Sequence, residues 1–105
     1  MAATPRKLGI LLATGAGSED AQTVARLAAA ALDAGHATYL FFMYDGVCHA
    51  TDPRFLALRD RGARLSLCTL SLDQRRLPCP KEFLFGGQPD VARMAAECDR
   101  FLSFT

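Results

Sequence analysis

The stretch "KLGILLATGAGSED", residues 7–20, decides the fold class of this chain. Its first half is short and apolar and runs into glycines, which is typical of a strand buried on both faces of a parallel sheet. Ser18 then stands where a helix can begin, with Glu19 and Asp20 placed to favour the positive end of the helix dipole. The stretch therefore predicts a strand over residues 7–14, followed at once by a helix.

Strands and helices alternate along the rest of the chain. Further strands are predicted over residues 37–44, 63–69 and 99–104, and further helices from Asp52-Pro53 to Gly62, around Ser71 and Gln74 as a capping box, and over residues 90–98. The first helix is expected to stop at Gly35. This alternation predicts one α/β domain over residues 1–105, with a mostly parallel sheet and helices on both faces.

Composition excludes several classes of function. Half of the residues are hydrophobic and the net charge is +1, so neither nucleic acid nor a membrane surface is an expected partner. The apolar stretches are too short to span a bilayer, and we expect a cytoplasmic protein. In that reducing compartment a disulfide framework is not expected, and without a Cys-x-x-Cys pair we expect no metal; no organic cofactor is expected either.

The glycine-rich turn at Gly15 and Gly17 lacks the marks of a nucleotide site. The third glycine of a dinucleotide fingerprint is missing, no Gly-Lys-Ser/Thr follows, and Glu19 and Asp20 would repel a phosphate. A tight turn before a capped helix is the better interpretation. The chain also lacks the Gly-x-Ser-x-Gly elbow of a conventional hydrolase.

The stretch "LSLCTLSLDQRR", residues 65–76, raises the question of chemistry. Cys68 is expected to end the third strand, at the same carboxyl edge as Gly15 and Asp45, where parallel sheets bind ligands. The start of the next helix, with Arg75 and Arg76 nearby, would favour the reactive thiolate. The arginines could instead lie at the far end of that helix, and the cysteine could be a packed core residue.

The other cysteines are expected to have lesser roles. Cys48 and Cys98 are interpreted as packing residues. Cys79 lies between two prolines, where it is an incidental loop residue or a resolving thiol.

Four segments together resemble the DsrE/TusD-like family of sulfur-relay proteins: "LGILLATGAGSEDAQTVARLAAAALDAGHA", "FFMYDGV", "LSLCTLSLDQRRL" and "AECDRFLSF". The resemblance implies a DsrE-like, flavodoxin/Rossmann-like three-layer fold. It also implies a sulfurtransferase-like persulfide carrier rather than a classical turnover enzyme, in which Cys68 accepts sulfane sulfur from one protein thiol and passes it to another. The supporting or pocket-lining residues expected near the thiol are Gly15, Tyr44, Asp45, Ser71 and Arg75.

The resemblance further implies a homo-oligomer, either a trimer or a hexamer. Phe83, Leu84 and Phe85 lie outside any predicted helix or strand, and such an exposed apolar patch is expected at a subunit contact. Two departures from the family pattern leave the donor, acceptor and pathway open. The loop between Arg76 and Gln88 is somewhat short, and Arg75-Arg76-Leu77 stands where the family often has arginine followed by glycine. The alternative function is a non-catalytic oligomeric scaffold or small-ligand-binding module in which Cys68 is only packed.

Overall fold

The computed structural model describes residues 4–78 and 80–105. Along these residues the elements follow one another as β1 (Lys7–Leu12), α1 (Asp20–Asp33), β2 (Ala37–Phe42), a 3-10 helix (Tyr44–Thr51), α2 (Pro53–Asp60), β3 (Arg64–Cys68), α3 (Thr69–Gln74), β4 (Leu84–Gly86), α4 (Gln88–Glu97) and β5 (Arg100–Phe104). In these parts of the chain no helix combines the length and the apolar character needed to cross a bilayer.

The strands form one five-stranded sheet in the order β4-β3-β2-β1-β5, and each neighbouring pair is parallel. The predicted α/β architecture is therefore confirmed. Because the strands run the same way, the segments that follow β1, β2 and β3 emerge side by side at the carboxyl edge of the sheet. The chain then crosses from the β4 edge to the β5 edge through α4.

The first turn and helix form much as the sequence predicts. The Ser18 hydroxyl accepts a hydrogen bond from the Asp20 backbone N–H at 3.0 Å, and the Thr14 hydroxyl donates to the Asp20 carboxylate at 2.7 Å. The helix itself begins at Asp20, with Glu19 in the N-cap position. It ends just before Gly35, whose φ of +82° lies in the left-handed region that glycine adopts without strain.

Three local predictions are wrong. Ser71 does not cap a helix, because α3 starts at Thr69 with Cys68 as its N-cap and Ser71 lies inside it. Residues 84–86 are not a loop but the edge strand β4, which pairs with β3. Phe83, expected in an exposed patch, is 3% exposed and packs edge-on against Phe42, with ring centroids 5.5 Å apart.

The two faces of the sheet are covered unequally. On one, here called the α1 face, α1, α2, the 3-10 helix and α3 cover a continuous core. Its large side chains that are less than 2% exposed are Ile10, Leu12, Leu40, Phe42, Phe55, Leu67 and Leu72. The other, called the α4 face, has four buried residues, Leu11, Phe41, Met43 and Cys68. α4 covers it with side chains that are at most partly buried, notably Val91 and Met94.

Candidate functional site

Cys68 is the last residue of β3 and projects onto the α4 face. Leu65 and Leu67 of the same strand belong to the α1-face core, so the alternation expected from the sequence is confirmed. The cysteine is 7% exposed and packs in one cluster with Leu11 and other apolar residues of β1 and β2. Its position at the carboxyl end of an interior strand is the one at which open parallel sheets bind ligands.

Arg75 lies at the far end of α3 from Cys68. It is the C-cap residue of that helix, and its guanidinium donates to the Ser71 carbonyl at 3.2 Å. Two further nitrogens donate to the Asp45 carboxylate at 3.1 and 3.0 Å. The sequence left Arg75 either near Cys68 or at the far end of the helix, and the structure places it at the far end. The reactivity of Cys68 stays a prediction.

A buried hydroxyl ties α3 to the turn after β2. Ser71 is 2% exposed, and its Oγ accepts a hydrogen bond from the Tyr44 backbone N–H at 2.8 Å. Tyr44 has a φ of +50°, a conformation that costs a non-glycine residue about 1 kcal/mol or more. Because its N–H is satisfied by a buried partner, this hydrogen bond helps to hold the strained residue in place.

The five supporting residues predicted from the sequence form one connected set at the carboxyl edge. Ser71 contacts Tyr44, and Arg75 contacts both Ser71 and Asp45. Gly15 completes the set, since a Cβ placed on it would lie 3.3 Å from the Asp45 Cβ. Their hydrogen bonds hold α3, and with it the backbone that follows Cys68, against the turn after β2, and Gly15 of the turn after β1 lies next to that turn.

Two further residues shape this edge and were not predicted from the sequence. A Cβ on Gly46 would lie 2.0 Å from the Leu12 carbonyl oxygen, so only glycine lets the 3-10 helix approach β1 this closely. His49 is 5% exposed, with its Nε2 3.0 Å from the Thr14 carbonyl oxygen. Asp-Gly signals a turn, but no local pattern reveals a histidine partner 35 residues away.

The other cysteines lie in different surroundings. Cys98 is partly buried near β1, where a Cβ on Gly9 would lie 2.9 Å from its Sγ. Burial raises the pKa of the Cys98 thiol, which disfavours the thiolate that a nucleophile requires. Cys48 is exposed, so its interpretation as a packing residue is wrong, and Cys79 lies outside the described residues. Residues 4–78 and 80–105 bring together no three metal-ligating side chains of the His, Cys, Asp or Glu type.

The sequence profile of the DsrE/DsrF-like family matches residues 6–104 of this chain. The chain belongs to that family. Its membership confirms the resemblance drawn from the four sequence segments. No curated protein matches the chain.

A solved structure, the crystal structure of the YchN protein from E. coli, superposes on this chain with a TM-score of 0.80. The superposition covers 96% of this chain and 100% of YchN, at 20% sequence identity. At that identity the likeness bears on the fold alone, and it agrees with the parallel sheet described above.

Proposed function

We propose that this protein is a sulfur carrier that holds sulfane sulfur as a persulfide on Cys68. It accepts the sulfur from one protein thiol and passes it to another, in the cytoplasm. Membership of the DsrE/DsrF-like family supports this function, because sulfur relay is what the family resemblance implies. The donor, the acceptor and the pathway are not specified by the proposal.

One observation carries the proposal. Cys68 ends an interior parallel strand at the edge of the sheet where ligands bind, and a hydrogen-bonded set of side chains holds the helix that follows it. Neither of the other described cysteines has this position: Cys48 lies in the 3-10 helix, and Cys98 follows α4 near the amino end of β1.

The chemistry needs only a thiolate and a second sulfur compound. The Cys68 thiolate attacks the terminal sulfur of a donor persulfide, a new S–S bond forms, and the donor leaves as a thiolate that takes up a proton. Transfer to an acceptor thiol repeats the step in the other direction. No net oxidation occurs, so no metal or organic cofactor is required.

The alternative is a scaffold or small-ligand-binding module, and the burial of Cys68 is the observation that favours it. A sulfur that is 7% exposed and packed against apolar side chains can be a simple core residue. A charged alkylating reagent separates the two functions. A carrier thiol reacts with it in the native protein, whereas a packed thiol reacts only after unfolding.

We also propose that the chain assembles into a closed homo-oligomer, a trimer or a hexamer. Leu84 and Phe85 of the edge strand are 56% and 54% exposed, one on each face of the sheet, and large exposed apolar side chains at a sheet edge are usual at interfaces. Phe83 takes no part, because it lies in the core. Light scattering coupled to size exclusion tests the assembly. A monomer at micromolar concentration, or an oligomer unaffected by Phe85→Glu, contradicts it.

Incubation with a sulfane-sulfur donor followed by intact-mass measurement tests the sulfur-carrier function. The wild-type protein should gain about 32 Da, one sulfur atom, and should lose it on treatment with excess thiol. Cys68→Ser should gain nothing, while Cys98→Ser and Cys79→Ser should behave as the wild type does. Loading that survives in Cys68→Ser and disappears in Cys79→Ser would move the site to the loop cysteine.

A further inference from the structure

A groove of about 200 Å³ opens on the α4 face, between α4 and the sheet. Its floor is formed by strand residues that include Tyr39, Arg64 and Ser66, and Met94 and Cys98 contribute from the helix side. It exists because no residue of α4 is fully buried, so the helix covers this half of the sheet incompletely. The groove is separate from the hydrogen-bonded set at the carboxyl edge.

The groove ends at Ser66, one side-chain position short of Cys68, which is 7% exposed and does not line it. Arg64, Ser66 and Cys68 occupy alternate positions of β3 and therefore share the α4 face. Successive side chains on one face of a strand are about 7 Å apart, so Cys68 lies one such step beyond Ser66 and about 13 Å from Arg64. A molecule lying along β3 would span from the arginine to the thiol.

The end of the groove farther from Cys68 carries positive charge. Within the described residues, Arg64 and the Lys7 side chain form no ion pair. Arg93, by contrast, donates to Asp90 at 2.8 Å, and the same carboxylate accepts the Gly87 N–H at 2.8 Å. Because the Arg93 and Asp90 charges offset each other, the charge preference of the lining is set by Arg64 and Lys7 against Glu97, a net charge of +1. Asp99, whose carboxylate accepts the Lys7 backbone N–H at 2.7 Å, lies beside the lining and reduces this preference.

The remaining lining suits a small molecule of mixed character. The hydroxyls of Tyr39 and Ser66 offer hydrogen bonds along the floor, and Leu84 and Met94 form apolar walls. A chain of three residues spans about 10 Å when extended, which approaches the distance from Arg64 to Cys68. An anionic peptide-sized thiol therefore fits both the length and the charge of the groove.

We infer that this groove binds a small anionic persulfide, a low-molecular-weight thiol compound that carries carboxylates and a terminal sulfane sulfur, and directs that sulfur to Cys68. The inference rests on the proposed function and adds a substrate class to the protein donors. The carboxylates lie at Arg64 and Lys7, and the persulfide lies past Ser66. The Cys68 thiolate attacks the terminal sulfur, the S–S bond of the donor breaks as the new one forms, and the donor departs as a thiolate that water protonates.

Loading kinetics with two matched donors test the inference. Glutathione persulfide carries the carboxylates, and the persulfide of glutathione diethyl ester lacks them. With donor below saturation, Arg64→Glu should slow the loading of Cys68 by the anionic donor about fivefold, the effect expected for one partly exposed charge contact of about 1 kcal/mol. The ester should load both proteins at similar rates. Arg59→Glu, the same charge change on an exposed residue of α2, should match the wild type with both donors.

Binding without chemistry gives a second readout. Reduced glutathione added to Cys68→Ser should protect Cys98, which lines the groove, from alkylation, and Arg64→Glu should abolish that protection. Equal loading by both donors, or equal effects of Arg64→Glu and Arg59→Glu, overturns the inference while leaving the carrier function intact. If glutathione protects Cys98 but neither donor loads Cys68, the groove binds the anion but Cys68 accepts no sulfur. That result overturns the carrier function and, with it, the inferred delivery of sulfur to Cys68.

Discussion

The α1 face and the α4 face of this sheet differ in how completely helices cover them. The α1 face is sealed by three helices and the 3-10 helix, and its core includes the paired rings of Phe42 and Phe55, 5.0 Å apart. The α4 face has one helix, four buried residues and an open groove. Since apolar burial is the main favourable term in folding, most of the stability resides on the first face. The second face carries Cys68 and the groove, and under the proposed function it is the face that a sulfur donor must reach.

The largest expected loss of stability comes from replacing two adjacent residues of β2 whose side chains point to opposite faces. Phe42 and Phe41 are both fully buried, on the α1 and α4 faces respectively. Phe42→Ala should lower the free energy of unfolding by about 3–5 kcal/mol. Phe41→Ala should cost about 1–2 kcal/mol less, because flexible Met94 and the loosely anchored α4 can close part of the cavity.

Urea unfolding followed by circular dichroism measures both losses. Should Phe42→Ala be too unstable to purify, the pair Phe42→Leu and Phe41→Leu preserves the comparison at lower cost. Equal losses on the two faces would mean that α4 is as firmly packed as α1, and the comparison would be wrong.

A smaller effect concerns the start of α2, which covers the α1 face. Asp52 is the N-cap of α2, accepts the Arg54 backbone N–H at 2.9 Å and pairs with the Arg54 guanidinium at 2.7 Å. Asp52→Ala should cost about 1 kcal/mol of unfolding free energy, and Asp52→Asn clearly less, because asparagine also caps helices. Equal costs in urea unfolding would show that the charge, and not the cap, matters.

The same carboxyl predicts a pH dependence. The hydrogen bond from the Arg54 side chain holds the pKa of Asp52 below its ordinary value, although partial burial opposes this. Its stabilising contribution is therefore present above the unfolded-state pKa and is lost as the pH falls through the folded-state pKa. In acid titrations of stability, wild type and Asp52→Asn should converge as the pH falls. A constant difference down to the lowest pH at which both fold would contradict this.

The smallest expected effect concerns the pH dependence of Cys98, which lines the groove on the α4 face. Burial, together with Glu97 and Asp99, raises the pKa of Cys98, while Lys7 lowers it. Alkylation of Cys98 in the folded protein should therefore have a midpoint at higher pH than in the urea-unfolded chain. Any stability that the protonated thiol contributes is complete below the unfolded-state pKa and is lost as the pH rises through the folded-state pKa. Peptide-resolved mass spectrometry measures the midpoints, and an unchanged or lower folded-state midpoint would contradict the expected burial effect.

Local pattern was sufficient for the parts of this fold that are encoded locally. The apolar run of β1 and the glycine that ends α1 can be identified from a few neighbouring residues, and both were predicted. The strand β4 was missed because three residues cannot show an alternation, and its identity depends on pairing with β3. The unequal cover of the two faces likewise depends on where α4 packs, and a short stretch of sequence does not reveal that position.

The candidate site likewise has features that local sequence predicts and others that depend on contacts between distant residues. The position of Cys68 could be predicted because a strand that ends before a helix is a local feature, whereas its role stays a prediction. The role of Ser71 could not, because its partner Tyr44 is 27 positions away and its spacing to Gln74 imitates a capping box. For Arg75, the sequence left two placements open, and only the contact with Asp45 across 30 positions distinguishes them.

The most direct measurement follows a labelled sulfur atom into Cys68 and out again. The wild-type protein is incubated with a sulfane donor labelled with heavy sulfur, freed of donor, and mixed with an excess of a thiol acceptor, and the cysteine peptides and the acceptor are analysed by mass spectrometry. The proposed function predicts that the label resides on the Cys68 peptide and then appears on the acceptor. Label on any other cysteine, or label on Cys68 that no thiol can remove, would contradict it.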